Sequence, residues 1–173
     1  MIIGSTKGGV PIPNKNNTSM AFGGGVVITS DCTGLTGSTA SITSGAIRAT
    51  KLTTTSSFTA DKIKATLSSV SGSVKFSLYS DDSDSPDALL ATTGSKTAQN
   101  GEKGYDLSSP YEVSNDTDYW ISIQTSSDTP SIVSGSGGAR ANAYNASTDF
   151  SSTPDPYPSP NYDTSGFQFC ISN

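Results

Sequence analysis

"DKIKATLSSVSGSVKFSLYS", residues 61–80, is the stretch on which the fold turns. Ile63, Ala65 and Leu67 alternate with Lys62, Lys64 and Thr66, and after a short interruption Val74, Phe76 and Leu78 resume the same alternation. A period of two places successive side chains on opposite faces of an extended chain, so each run reads as a strand with one apolar face and one wet face. The interruption, "SSVSG", is short enough for a hairpin and is expected to make the two strands neighbours.

The same rhythm continues outward. Strand signals fall at residues 45–58, 87–96, 103–113, 117–126, 138–145 and 166–172, separated by Gly, Pro, Asn and Asp, with one further short strand at 26–29. Eight or nine short strands without helical periodicity predict an all-β protein, an antiparallel β-sandwich with jelly-roll winding. On strand 117–126, Tyr119, Ile121 and Ile123 share one face and Trp120 takes the other. The segment "TPDPYPSPNYD", residues 153–163, has too many prolines for an interior strand and is expected to be a surface loop. Residues 45–173 are therefore assigned to the sandwich. Residues 1–44, with "GGVPIPNKNN" and "AFGGGVVITS", read as an extended N-terminal arm that needs a neighbour to order it.

At 173 residues the chain fits one domain. Its formal charge is −5, and ten Lys plus Arg are scattered singly, which leaves no basic stripe for a phosphate backbone. Nucleic acid is not an expected partner. Nor is a membrane, since no run of about 18 apolar residues exists. The opening "MIIGSTKGGVPIPNKNN" lacks the charged, apolar and small-residue order of a secretory signal. With no histidine in the sequence, Ser-His-Asp and Cys-His devices and histidine zinc sites are all unavailable. The expectation is a protein that is not an enzyme.

Two stretches, "KIKATLSSVSGSVKFSLYSDDSDSPDALLAT" (62–92) and "VSNDTDYWISIQ" (113–124), with "GARANAYN", "PYPSPN" and "GFQFCI" nearer the end, resemble the jelly-roll modules of bacterial extracellular proteins and phage structural proteins. Those modules are similar in shape to carbohydrate-binding modules. The resemblance runs from about residue 52 to the C-terminus and leaves residues 1–44 outside it. Modules of this shape serve as adhesins, decoration proteins and domains attached to enzymes. Together with the missing secretory signal and the acidic, Ser/Thr-rich composition, the resemblance leads to the expectation of a non-enzymatic phage structural protein: a capsid decoration or fibre component on the virion surface, present as a homo-oligomer or in many copies. Such a protein would meet other subunits through the arm. The alternative it implies is a secreted carbohydrate-binding or adhesin module that touches surface glycans.

Four side chains, Asp81, Asp82, Asp84 and Asp87, crowd one loop. Alternate Asp and Ser could wrap a calcium ion, which takes several oxygen ligands. The competing account is a solvated turn in which Asp and Ser bond their own backbone and Pro86 fixes φ. The spacing matches no EF-hand, which favours the turn and no cofactor. Cys32 and Cys170 could form a disulfide from the arm to the last strand, or remain two thiols. For ligand or partner contact the candidates are Tyr157 and Tyr162 in the proline-rich loop, and Trp120 if its face of the strand is exposed.

Overall fold

The computed structural model describes residues 30–35, 37–128, 130–136 and 142–173. These residues form fourteen strands and no helix, in two antiparallel sheets packed face to face as a sandwich. β1 (Ser30–Cys32) and β2 (Thr39–Ser41) lie in the first sheet, β3 (Ile47–Thr53) in the second, and β4 (Phe58–Ser68) in the first again. β5 (Ser73–Asp81), β6 (Pro86–Thr92) and β7 (Lys96–Thr97) belong to the second sheet and β8 (Gly101–Val113) to the first. β9 (Asp118–Thr125) returns to the second and β10 (Ser131–Ser136) to the first. β11 (Asn142–Asn145) and β12 (Asn161–Asp163) lie in the second sheet, and β13 (Ser165–Phe167) and β14 (Phe169–Ser172) close the chain in the first. This repeated crossing makes the antiparallel sandwich that the strand rhythm predicts.

β4 is the hub of the first sheet. β8 pairs along one of its edges from Phe58 to Leu67, while β14 and then β10 share the other. β1 lies outside β14. The second sheet runs β12–β11–β3–β9–β5–β6, with β7 beside the start of β5. Ile63, Leu67, Phe76, Leu78, Ile121, Ile123, Phe169 and Ile171 meet between the sheets with essentially no exposure. Burying each such side chain contributes about 1.5–3 kcal/mol, so this layer holds the sheets together.

β4 and β5 are not hairpin partners: they lie in different sheets, and residues 69–72 carry the chain across the sandwich. Alternation cannot separate the two arrangements, because the apolar residues of consecutive strands share a core whether the strands lie side by side or face each other. The turn itself decides. Ser69 and Gly72 have φ of 52° and 72°, and the Ser126 hydroxyl accepts the Ser73 N–H at 2.8 Å, tying the crossing to the end of β9.

Of the expected arm, residues 1–29, including the strand at 26–29, lie outside the described residues. From Ser30 onward the chain belongs to the sandwich: β1 and β2 are strands of the first sheet, and Ile42 is fully buried in the core. The domain therefore begins by Ser30 and not at residue 45. Three ties fix β1. Its residues pair with β14 from Ser30↔Ser172 to Cys32↔Cys170. The two cysteines are bonded, with Cα atoms 4.0 Å apart. The buried Asp31 carboxylate accepts the Thr55 N–H at 2.9 Å and the Thr55 hydroxyl at 2.6 Å.

Candidate functional site

The acidic loop closes the β5–β6 hairpin. Ser83 and Asp84 both have positive φ, 53° and 64°, the pair of left-handed residues that a tight hairpin turn requires. The Asp82 N–H donates to the Ser85 carbonyl at 2.8 Å, the Ser83 hydroxyl to Asp82 at 3.0 Å, and the Asp84 N–H to Asp81 at 3.2 Å. These are the local side-chain and backbone bonds that make Asp and Ser turn formers.

Two of the four aspartates also reach beyond the turn. Strand register sets Lys51 of β3 opposite Trp120 of β9, and Trp120 opposite Tyr79 of β5, so the three form a row on the outer face of the second sheet. Lys51 reaches the turn with its ammonium 2.6 Å from Asp118, 2.9 Å from Asp84 and 3.8 Å from Asp81. The other oxygen of Asp118 accepts the Thr53 hydroxyl at 2.5 Å. Burial disfavours the charge on Lys51, but the hydrogen bonds to Asp118 and Asp84 and the neighbouring carboxylates outweigh it and hold the lysine well above its usual pKa. Asp118 is likewise opposed by burial, yet its bonds from Lys51 and Thr53 keep its pKa below the ordinary carboxylate value. Lys51 thus places a positive charge among three carboxylates, two of them from the turn. Among the described residues no group of three or more His, Cys, Asp or Glu side chains is arranged to hold a metal. Asp82 stays in the turn, and Asp87 points to solvent while its carbonyl accepts the Tyr157 N–H at 2.8 Å.

Residues 153–160 of the proline-rich stretch lie across the outer face of the second sheet, in the connection between β11 and β12, while its last three residues are β12 itself, so Tyr162 stands on an edge strand paired with Ala143 and not in a loop. Tyr157 points inward: only 6% exposed, its hydroxyl donates toward the carbonyls of Ala143 at 3.0 Å and Ile47 at 3.3 Å. Its ring meets Tyr79 edge-on at 5.1 Å. Tyr79 donates to the Pro154 carbonyl at 2.8 Å, the Leu89 N–H donates to Asp155 at 3.1 Å, and Lys75 donates to the Phe150 carbonyl. Burial raises the pKa of both tyrosines and lowers that of Lys75. Ile47, Ala49, Tyr79, Trp120, Ala143 and Tyr157 form a second core here, with Leu89 and Tyr162 packed at its margin.

The three contact candidates therefore do come together, but from the inside. Trp120 has no exposed surface, and its indole N–H donates to Asp81 at 2.7 Å. Tyr157 is enclosed by the strap that carries it, so neither ring offers a face to a ligand. Tyr162 is half-buried, 6.4 Å from Trp120, with its hydroxyl bonded to Ser85 at 2.8 Å. Reading along the chain misses Lys51 and Asp118 as members of the site. A lone lysine in "RATKLT" becomes conspicuous only once register sets it opposite Trp120.

The chain matches no protein-family model and no curated protein sequence.

Proposed function

We propose that this chain is a non-enzymatic structural protein of a phage particle, a capsid decoration or fibre component that displays its sandwich on the virion surface. It joins the assembly through the segment that precedes β1. The observation that carries this reading is the anchoring of that segment. β1 lies at the edge of the first sheet and is fixed there by three ladder pairs, a disulfide and the Asp31–Thr55 bonds. Twenty-nine residues of the sequence precede it. An attachment segment needs such a firm root, because whatever it holds must not pull free of the domain. The disulfide supports an oxidising location such as a virion surface. The engagement of Lys51 with Asp81, Asp84 and Asp118 supports a structural use of the acidic loop, with no cofactor.

Deleting residues 1–19 tests the reading. The truncated chain is expected to stay folded and to sediment as a monomer at concentrations where the full chain self-associates or binds its particle. Unfolding of the truncated chain, or assembly equal to that of the full chain, refutes it.

A secreted glycan-binding or adhesive module is the second reading, and the disulfide favours it equally. With Trp120 and Tyr157 turned inward, its binding surface would be sought at Tyr162 or in the cleft of about 230 Å³ lined by Leu89, Leu90, Ala91, Thr92, Ser108 and Ser109. Glycan binding that survives the 1–19 deletion would decide for this reading.

A further inference from the structure

We propose that the Cys32–Cys170 disulfide is a mechanical clasp: it carries tension between the segment preceding β1 and the end of β14, and so keeps that tension out of the sandwich. The clasp is a property of the fold itself and does not depend on what residues 1–29 attach to.

Strand direction sets how the edge is loaded. β1 and β14 are antiparallel and Ser30 faces Ser172, so the two chain ends leave the pair on the same side. Force applied through those ends loads the ladder one rung at a time, starting at Ser30↔Ser172. Single backbone hydrogen bonds are weak once the exchange with water is counted, and a ladder loaded rung by rung never brings them to bear together. β1 is also three residues long, and β14 is its only strand neighbour among the described residues. By its strand ladder alone this edge is where the domain would begin to open; the Asp31–Thr55 bonds add one further tie at the second rung.

The third rung is the disulfide. The Thr33 N–H donates to the Phe169 carbonyl at 2.9 Å, so Thr33 and Phe169 face each other in a hydrogen-bonded position and the neighbouring cysteines occupy the closer, non-hydrogen-bonded one. That is the position at which facing side chains lie near enough to be bridged. Peeling therefore stops after two residue pairs. The bond spans 138 positions of sequence, and every strand from β2 to β13 lies inside the covalent loop. Force crosses from Cys32 directly to Cys170 and never enters those strands. A bridge elsewhere, for example between β4 and β8, would also restrict the unfolded chain, but it would leave this edge free to peel. Both cysteines are half-buried, so a small thiol can reach the bond.

Single-molecule extension of the full chain, held at its two ends, tests the clasp. The oxidised protein is expected to lengthen only by the residues outside positions 32 and 170. Adding a dithiol then reduces the bond: two electrons and two protons pass from the dithiol to the cysteine pair, giving two thiols and a cyclic disulfide of the reagent. The same molecule should then lengthen by roughly 480 Å, the 138 positions at about 3.5 Å each. Because the molecule is folded before reduction, the result does not depend on a variant's ability to fold. A Cys32→Ser, Cys170→Ser chain that does fold should show the long extension without reductant. An oxidised chain that lengthens by the full amount overturns the proposal, as does a reduced chain that stays short under the same load.

Discussion

The indole N–H of Trp120 donates to Oδ1 of Asp81 at 2.7 Å, so the bulkiest fully buried side chain of the protein is held by the first aspartate of the acidic turn. Trp120 fills the outer layer of the second sheet only because that N–H, which cannot be left unpaired out of water, finds an acceptor at the sheet's end. Asp81→Ala orphans the donor and should cost about 1–3 kcal/mol. Asp81→Asn keeps an oxygen in place and should cost about 1 kcal/mol or less. Urea unfolding followed by tryptophan emission reads both values, and equal losses for the two variants would mean that the bond to Asp81 does not hold the indole.

Lys51 and Asp118 set the pH dependence of the same corner. Asp118 has a depressed pKa in the folded protein, so its contribution is full above the unfolded carboxylate value of about 3.9 and is lost as pH falls through the folded value. Lys51 is raised, so its contribution is full below the ordinary lysine value of about 10.4 and fades only in strong alkali. Both side chains keep some solvent contact, which limits the gain. Lys51→Met should cost about 1–2 kcal/mol at neutral pH, a few partly exposed pairs at up to 1 kcal/mol each, and should flatten the loss of stability in acid. Chelator should leave the melting temperature of the parent unchanged. A fall of many degrees that calcium restores would put a metal, not Lys51, among these carboxylates.

Tyr157 separates a packing residue from a recognition residue. Enclosed against Tyr79, it should behave as core: Tyr157→Ala is expected to cost about 3–5 kcal/mol, the range for removing a buried ring. Tyr157→Phe keeps the ring but leaves the Ile47 and Ala143 carbonyls without the hydroxyl, for about 0.5–1.5 kcal/mol. Thermal melts measure both. A Tyr157→Ala protein as stable as the parent would show that the strap does not seal the second core.

Alternation within "KIKATL" and "DYWISIQ" is legible because it is local: Ile63, Ala65 and Leu67 face the core, as do Tyr119, Ile121 and Ile123, with Trp120 opposite. The remaining features are decided far away in sequence. Lys75, Ser77 and Tyr79 read as the wet face of β5, yet all three are buried, because the strap that covers them comes some seventy residues later. The aspartates of the turn suggest a cation with equal force whether it is calcium or a lysine, and the lysine lies thirty residues upstream on another strand. Tyr157 and Tyr162 read as loop aromatics because prolines surround them, and nothing in that stretch shows which side of it meets the sheet. Short β1 escapes notice because "SDC" has no periodicity to read. It holds through Asp31 reaching Thr55 and through Cys32.

The crossing between β4 and β5 is the feature that alternation could not resolve, and Gly72 offers a direct test of it. Its φ is +72°, and a Cβ there would come within 2.6 Å of the Ser126 hydroxyl oxygen, the atom that accepts the Ser73 N–H. Gly101 has a similar φ of +84° but open space where its Cβ would stand. Both positions impose the left-handed penalty on alanine, about 1–2 kcal/mol, and only Gly72 adds a collision that displaces the hydrogen bond anchoring the crossing. Gly72→Ala should therefore destabilise the protein by about 1 kcal/mol or more beyond Gly101→Ala, the scale of one lost hydrogen bond. Ser126→Ala removes both the obstacle and the bond, so combining it with Gly72→Ala should cost less than the two single changes added together. Strict additivity, or equal losses at the two glycines, would mean that residues 69–72 do not pack against the end of β9.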